Sequence, residues 1–539
     1  MIRFAVLAAV LTVCPFLAAQ SVAGGFASAV VVNPVSGGRS FAFAPDGRLF
    51  YTENASGQIM VVDNPTTTPG APSVFATVSG FVAPSGNDLG LHGIVLHPNF
   101  PVAPGDSTNR FVYVIQSTGT TGAPQLMVKR FLEDTSALGT AASGSETTLI
   151  SGVDMGSAGN NFGGRIVFDA ATNMFVSVGD GGAAISLAGG FAQDVNDRRG
   201  KVLRYQADGT IPLSNPFTSN AMWARGLHNP RGMAINPTTG DLFGVDTGNS
   251  STGGLDELNV IITNSNYGWD TNGLSGNQNV TGYSDPAWEL GATFEPSCAA
   301  FHPGALGSWP TVGYRGGVVY LGSEAATGSI LRVVLTGGNE RTGIAQSTFA
   351  GSFSAPVRDM HFGPDGNLYV LTDTVLYRIT YTGNTSTANP VANAGIDQTV
   401  NEGATVTLDG SASSDADVSD VLRYTWKQVG GSTVVSITNP TLQIASFVAP
   451  QVTFTQNFTF ELIVEDGNGG VSDDFIVITV NNTGNPDENG PTDYNPPGEG
   501  GCSTTGGSTW WWLFVCSALS LMVTIRIVRH RECSERVSS

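Results

Sequence analysis

Apolar and polar positions alternate with a period of two along most of this chain, which is strand patterning. One phrase recurs: a basic or small start, an apolar alternation, a Pro or Asp-Gly turn, then an aromatic-bearing strand. RSFAFAPDGRLFYTE begins at Arg39, RIVFDAATNMFVSVGD at Arg165, RGMAINPTTGDLFGVD at Arg231 and RDMHFGPDGNLYVLTD at Arg358. HGIVLHPNF from His92, followed by FVYVIQS from Phe111, is a looser copy. The starts lie about 53, 73, 66 and 127 residues apart, and the longest interval holds two units, the second around residues 318–321. Four-stranded repeats that close in a ring make a propeller, which leaves only short protected edges. Six blades within residues 25–381 is the natural count.

After Tyr381 the composition changes to a Gly, Asn, Ser and Thr linker over 382–388. Residues 389–481 then show short alternating strands, a Tyr-Thr-Trp core strand and an Asp-Gly hairpin, the pattern of an Ig-like β-sandwich. The predicted fold class is therefore all-β, a six-bladed propeller followed by a sandwich. A Gly, Pro, Asn and Asp stalk occupies 482–509.

Composition narrows the class. Gly 69 with 13% charged and 41% hydrophobic residues reads as turn-rich and folded. A net charge of −20 argues against nucleic acid or an anionic membrane surface as partner. Arg3, an apolar run over 4–17 and Ser21-Val22-Ala23 predict a secretory leader, residues 1–23, cut near Ala23. Cys14 lacks the flanking residues of a lipoprotein signal. Residues 510–528 are apolar apart from Ser, Thr, Cys and Arg526 and end at Arg529-His530-Arg531, barely long enough to span a hydrocarbon core, with basic residues inside. With Gly500-Gly501-Cys502 ahead of it, this end resembles bacterial C-terminal sorting tails; a plain tail anchor is the alternative. The expected location is the cell surface or outer envelope, with membrane contact only through that tail. Cys298 is the one cysteine of the secreted body, so no disulfide is available there, and it reads as a small buried hydrophobe.

The segment from Gly226 to Asp270 carries the most chemistry. Asn229-Pro230 fixes a turn, and Asp256-Glu257 stands about ten residues before an Asn-Tyr-Gly-Trp corner. That spacing lets a carboxylate and a backbone carbonyl converge on a hard cation. Together with LHGIVLHPNF at Leu91, GGRIVFDAATNMFVSVGDGG at Gly163 and AQDVNDRRGKVLRYQADGTIPLSNPF at Ala192, this segment resembles the glucose/sorbosone dehydrogenase family. The resemblance implies a sugar- or polyol-oxidising enzyme with pyrroloquinoline quinone, calcium and an external electron acceptor. Residues 389–481 resemble polycystic-kidney-disease-like (PKD-like) domains of bacterial surface proteins.

Carried over position by position, the resemblance places Asn161 where the family has its catalytic histidine. Asp88 replaces a glutamine, His228 an arginine and Ala326 a lysine, while Asn229 and Arg358 keep the family identity. Asp88, Asn161, His228, Asn229 and Arg358 are thus the implied cofactor positions. Asparagine does not accept a proton near neutral pH, so His228 or His92 is the candidate base. The resemblance assigns cofactor calcium to the carbonyls of Gly248 and Asn249, and a second calcium to Glu257 and the carbonyl of Tyr267. Asp415, Asp417 and Asp466 in the sandwich are further calcium candidates or plain turn aspartates. His97, His302 and His361 read as structural. The rival to the enzyme is an inactive propeller binding carbohydrate, such as a surface glycan, or protein. A calcium-dependent lactonase ranks below both, because the phrases expected of one are missing.

Overall fold

The computed structural model describes residues 20–484 except 24, 82–88, 119–123, 157–159, 183–189, 218, 249–253, 270–281, 303–308, 310–316, 337–340, 383–387, 417–421 and 467–469. The N-terminal apolar run, the stalk from residue 485 onward and the C-terminal apolar segment lie outside the described residues, as do Asp88, Asn249 and Asp417. No helix of the described residues is long and apolar enough to cross a membrane.

Among the described residues six antiparallel sheets form the blades. Their inner strands are Gly38–Phe43, Leu91–Leu96, Gly163–Phe168, Pro230–Ile235, Pro296–Phe301 and Val357–Phe362. Each packs against the next, and the last returns to the first, so the ring is closed. The recurring phrase supplies inner strands 1, 2, 3, 4 and 6. Blade 5, expected around residues 318–321, has its second strand there, Val318–Ser323. Its inner strand, PSCAAF, lacks the basic start and so escapes the pattern.

Second strands are mostly apolar because both their faces are covered by neighbouring blades. Leu49–Glu53, Leu242–Asp246, Val318–Ser323 and Leu368–Thr372 are buried at every position. The ring is latched by its own N-terminal part: Phe26–Val32 pairs antiparallel with Leu376–Tyr381 and becomes the outer strand of blade 6. Ser21 and Val22 extend blade 5 by pairing with Gly351 and Ala350. A leader cut at Ala23 would remove that strand; a cut before Gln20 would keep it.

The sandwich has a four-stranded sheet and a two-stranded one around Trp426, Phe447, Phe458 and Phe460. It rests on the propeller, with Ile463 and Val471 joining the core of blades 5 and 6. Arg332 of blade 5 pairs with Glu465 at 3.0 Å, and Lys427 donates to the carbonyl of Gly343.

Candidate functional site

The inner strands are all six residues long, so their positions can be compared directly. The second residues are Arg39, His92, Gly164, Arg231, Ser297 and Arg358, and every one lines an axial pocket with Gly93, Gly163, Arg165 and Glu324. Its atom-free space, mouth included, is ≈ 460 Å³. Arg358 donates from Nε and Nη2 to Asp373, at 2.8 and 3.1 Å, and from Nη1 to Glu324 at 3.0 Å. Arg231 pairs with the same Glu324, and Arg39 lies 3.5 Å from Asp373. Among the described residues two carboxylates are thus shared among three guanidiniums. Such a rim of guanidiniums suits a flat polyanion. His92 stacks on Phe162 at 6.0 Å between ring centres. A Cβ at Gly164 would stand 3.1 Å from the His92 ring, so glycine there leaves the imidazole its place.

Beside this pocket, a buried polar cluster joins blades 3 and 4. Asn161 holds φ of 55°, a left-handed conformation that asparagine tolerates. Its amide nitrogen lies 3.0 Å from Asp180 Oδ1 and 2.8 Å from His228 Nε2. The His228 Nδ1–H donates to the Thr247 carbonyl, which leaves Nε2 to accept from Asn161. Trp269 donates from Nε1 to Asp180 at 2.9 Å and lies against the His228 ring, 4.1 Å between centres. Asp246 accepts from the His228 and Asn229 amides; burial, offset in part by those contacts, pushes its carboxyl up to about 6. Asn229 accepts from the Gly163 amide at 3.0 Å and is buried, stitching blade 3 to blade 4.

Of the sequence-derived positions, His92 and Arg358 therefore reach the pocket. Asn161, His228 and Asn229 form its supporting wall. Ala326 sits in the turn after Val318–Ser323, where Glu324 supplies the pocket contact. Pattern reading passed over Arg39, Arg231, Glu324, Asp373, Asp180 and Trp269, although an arginine heading the repeated phrase was the visible signal for the first two.

The calcium positions are partly described. Gly248 donates its amide to Asp256 at 2.9 Å. Glu257 is buried; burial first, then Asp246 and other nearby carboxylates, pushes its carboxyl up to about 8. Its Oε1 and the Oδ1 of Asn259, two residues along the same strand, have no hydrogen-bond partner among the described residues. Cross-strand pairing sets Asp246, Glu257 and Glu289 in one row. Buried orphan oxygens beside acidic neighbours are what a hard cation satisfies, so the donor set fits calcium at Glu257. Tyr267 donates its amide to the Arg225 carbonyl and turns its hydroxyl to the Val260 carbonyl. No three His, Cys, Asp or Glu side chains converge as a metal group among the described residues.

Comparison with known proteins follows the same outline. The profile described as Glucose / Sorbosone dehydrogenase matches residues 35–394, and a PKD domain profile matches 394–480. An uncharacterized protein of Synechocystis sp. is 31% identical over 353 residues, 62% of this chain and 80% of that protein. Quinoprotein glucose dehydrogenase B of Acinetobacter calcoaceticus is 27% identical over 288 residues, 50% of this chain and 55% of that relative. The apo-form crystal structure of the soluble aldose sugar dehydrogenase of Escherichia coli superposes with a TM-score of 0.54 at 23% identity. That superposition covers 66% of this chain and 99% of the other, and supports the fold.

Proposed function

Because this chain belongs to the glucose/sorbosone dehydrogenase family, we propose that it is a quinoprotein-type oxidoreductase acting on a sugar or related alcohol and passing electrons to an external acceptor. The observation that carries this reading is the convergence of three guanidiniums, Arg39, Arg231 and Arg358, on one axial pocket that also holds His92. Pyrroloquinoline quinone, when bound, supplies hydride acceptance. These arginines would hold its carboxylates, and Gly248 with Asn249 would offer carbonyls to its calcium. Glu257 and Tyr267 would take a second, structural calcium.

His92 is the residue suited to accept the substrate hydroxyl proton. It lies in the pocket, and an imidazole titrates near neutral pH. His228 is poorly suited, since both of its ring nitrogens are engaged inside the wall. That same engagement, with Asn161 as the capping group, favours a second reading: an inactive propeller that binds carbohydrate or protein. Export through the N-terminal leader and attachment or processing at the C-terminal tail complete the proposal.

The test is reconstitution with calcium and quinone, followed by turnover of aldoses with an artificial electron acceptor. A bound-cofactor absorption band and turnover are expected. His92→Asn should lower kcat about 10²-fold or more while quinone affinity changes little. Absence of the band selects the binding module, and full turnover by the variant rejects His92 as the base.

A further inference from the structure

The third position of the inner strands holds Ser40, Gly93, Arg165, Gly232, Cys298 and Asp359. Five are small or acidic, and the sixth is a long cation. Arg165 is displaced by one residue from the register of Arg39, Arg231 and Arg358, yet it too borders the axial pocket. It is buried and crosses the axis. Its Nη1 pairs with Asp359 of blade 6 at 2.6 Å and donates to Ser40 Oγ of blade 1 at 2.9 Å. Its Nε donates to the Arg231 carbonyl of blade 4 at 3.3 Å. Its Nη2 donates to the carbonyls of Ser297 in blade 5 and Arg358 in blade 6, at 3.3 and 3.0 Å. Ser40 in turn donates to Asp359 at 2.6 Å and accepts from the Ile94 amide of blade 2 at 3.3 Å. Asp359 also takes the Phe41 amide at 3.0 Å.

We infer that Arg165 is the positioning residue of the axial pocket: one guanidinium, paired with Asp359, ties all six blades together and fixes the backbone that carries Arg231 and Arg358. Its planar array of donors is needed for this, because five acceptors in different directions cannot be met by a lysine ammonium. The glycines at this position let neighbouring inner strands approach closely: at Gly93, a Cβ would stand 2.7 Å from the Gly164 carbonyl oxygen. At Gly232, a Cβ would stand 2.6 Å from the Cα of Cys298.

In its consequence for cofactor binding the inference rests on the proposed function; in its consequence for the ring it does not. The experiment reads both, using the full chain with Arg165→Lys, and Arg165→Met with Asp359→Leu in case the single change fails to fold. Lys129→Met, which removes a mostly buried cation paired with Glu146 and bonded to Ser79, away from the axis, is the comparator. Peptide-resolved hydrogen exchange in Arg165→Lys should rise in the inner strands of all six blades, whereas the comparator should change only blade 2 and the adjoining Ser79 segment at the outer edge of blade 1. Quinone affinity, measured on the calcium-loaded protein, should fall at least tenfold in Arg165→Lys and less than threefold in the comparator. Exchange changes confined to blade 3 overturn the inference, as does quinone affinity in Arg165→Lys equal to that of the comparator. If the native chain binds no quinone, the proposed function fails, and the exchange pattern alone decides the role of Arg165.

Discussion

His302 illustrates how a single residue reports its surroundings. It packs against Trp309 and Phe362, and burial, with Arg332 adding to it, pushes its imidazole down to about 4. Unfolded histidine titrates near 6.5, so between these values the unfolded chain binds more protons than the folded one. The stability this neutral imidazole contributes is therefore complete above pH 6.5 and is lost as pH falls toward 4. The loss amounts to about 3 kcal/mol. Urea denaturation at pH 7 and pH 4.5 should show a steep decline for the native chain and a shallower one for His302→Phe. Equal slopes would remove His302 as the cause. Asp359 is the opposite case: burial would raise its carboxyl, but Arg165, His361 and Ser40 together hold it well below the usual carboxylate range.

Among elements, the closing strand latches a ring that the inner strands already close. Phe26–Val32 satisfies the outer edge of Leu376–Tyr381, bringing the first part of the chain to the last blade. Without it, that edge would present unpaired amides and carbonyls, a template for association with another chain. Deleting residues 26–32 should lower the melting temperature by several degrees and yield concentration-dependent aggregates, read by calorimetry and light scattering. A truncated protein that melts like the native one and stays monomeric would show that closure does not depend on this latch. The second strands, by contrast, hold their place through burial on both faces, so no single hydrogen bond decides them.

For the whole molecule, the sandwich behaves as a buttress for blade 5. Glu465 and Arg332 are both nearly buried, and Ile463 and Val471 enter the propeller core. Removing one partner of a buried ion pair leaves the other desolvated, a cost on the order of 3 kcal/mol. Glu465→Ala should therefore destabilise propeller and sandwich together, lowering one shared calorimetric transition. Two separate transitions, with only the sandwich affected, would mean that the domains melt independently.

Much of this was legible in the sequence, for a local reason. Period-two alternation, turn residues and the repeated phrase depend only on near neighbours, so they gave the strands and a six-bladed propeller followed by a sandwich. Family phrases gave His92 and Arg358, and the arginine that heads the repeated phrase foreshadowed the guanidinium rim. What the sequence could not give was which repeats meet at the axis and in what register. A shift of one residue along a strand turns a side chain to the other face, and this alone separates Arg165 in the hub from Arg231 and Arg358 on the rim. The lock on His228 is likewise tertiary, because Asn161 and Thr247 reach its two nitrogens from different blades. Chain order sets neither contact; closure of the ring does.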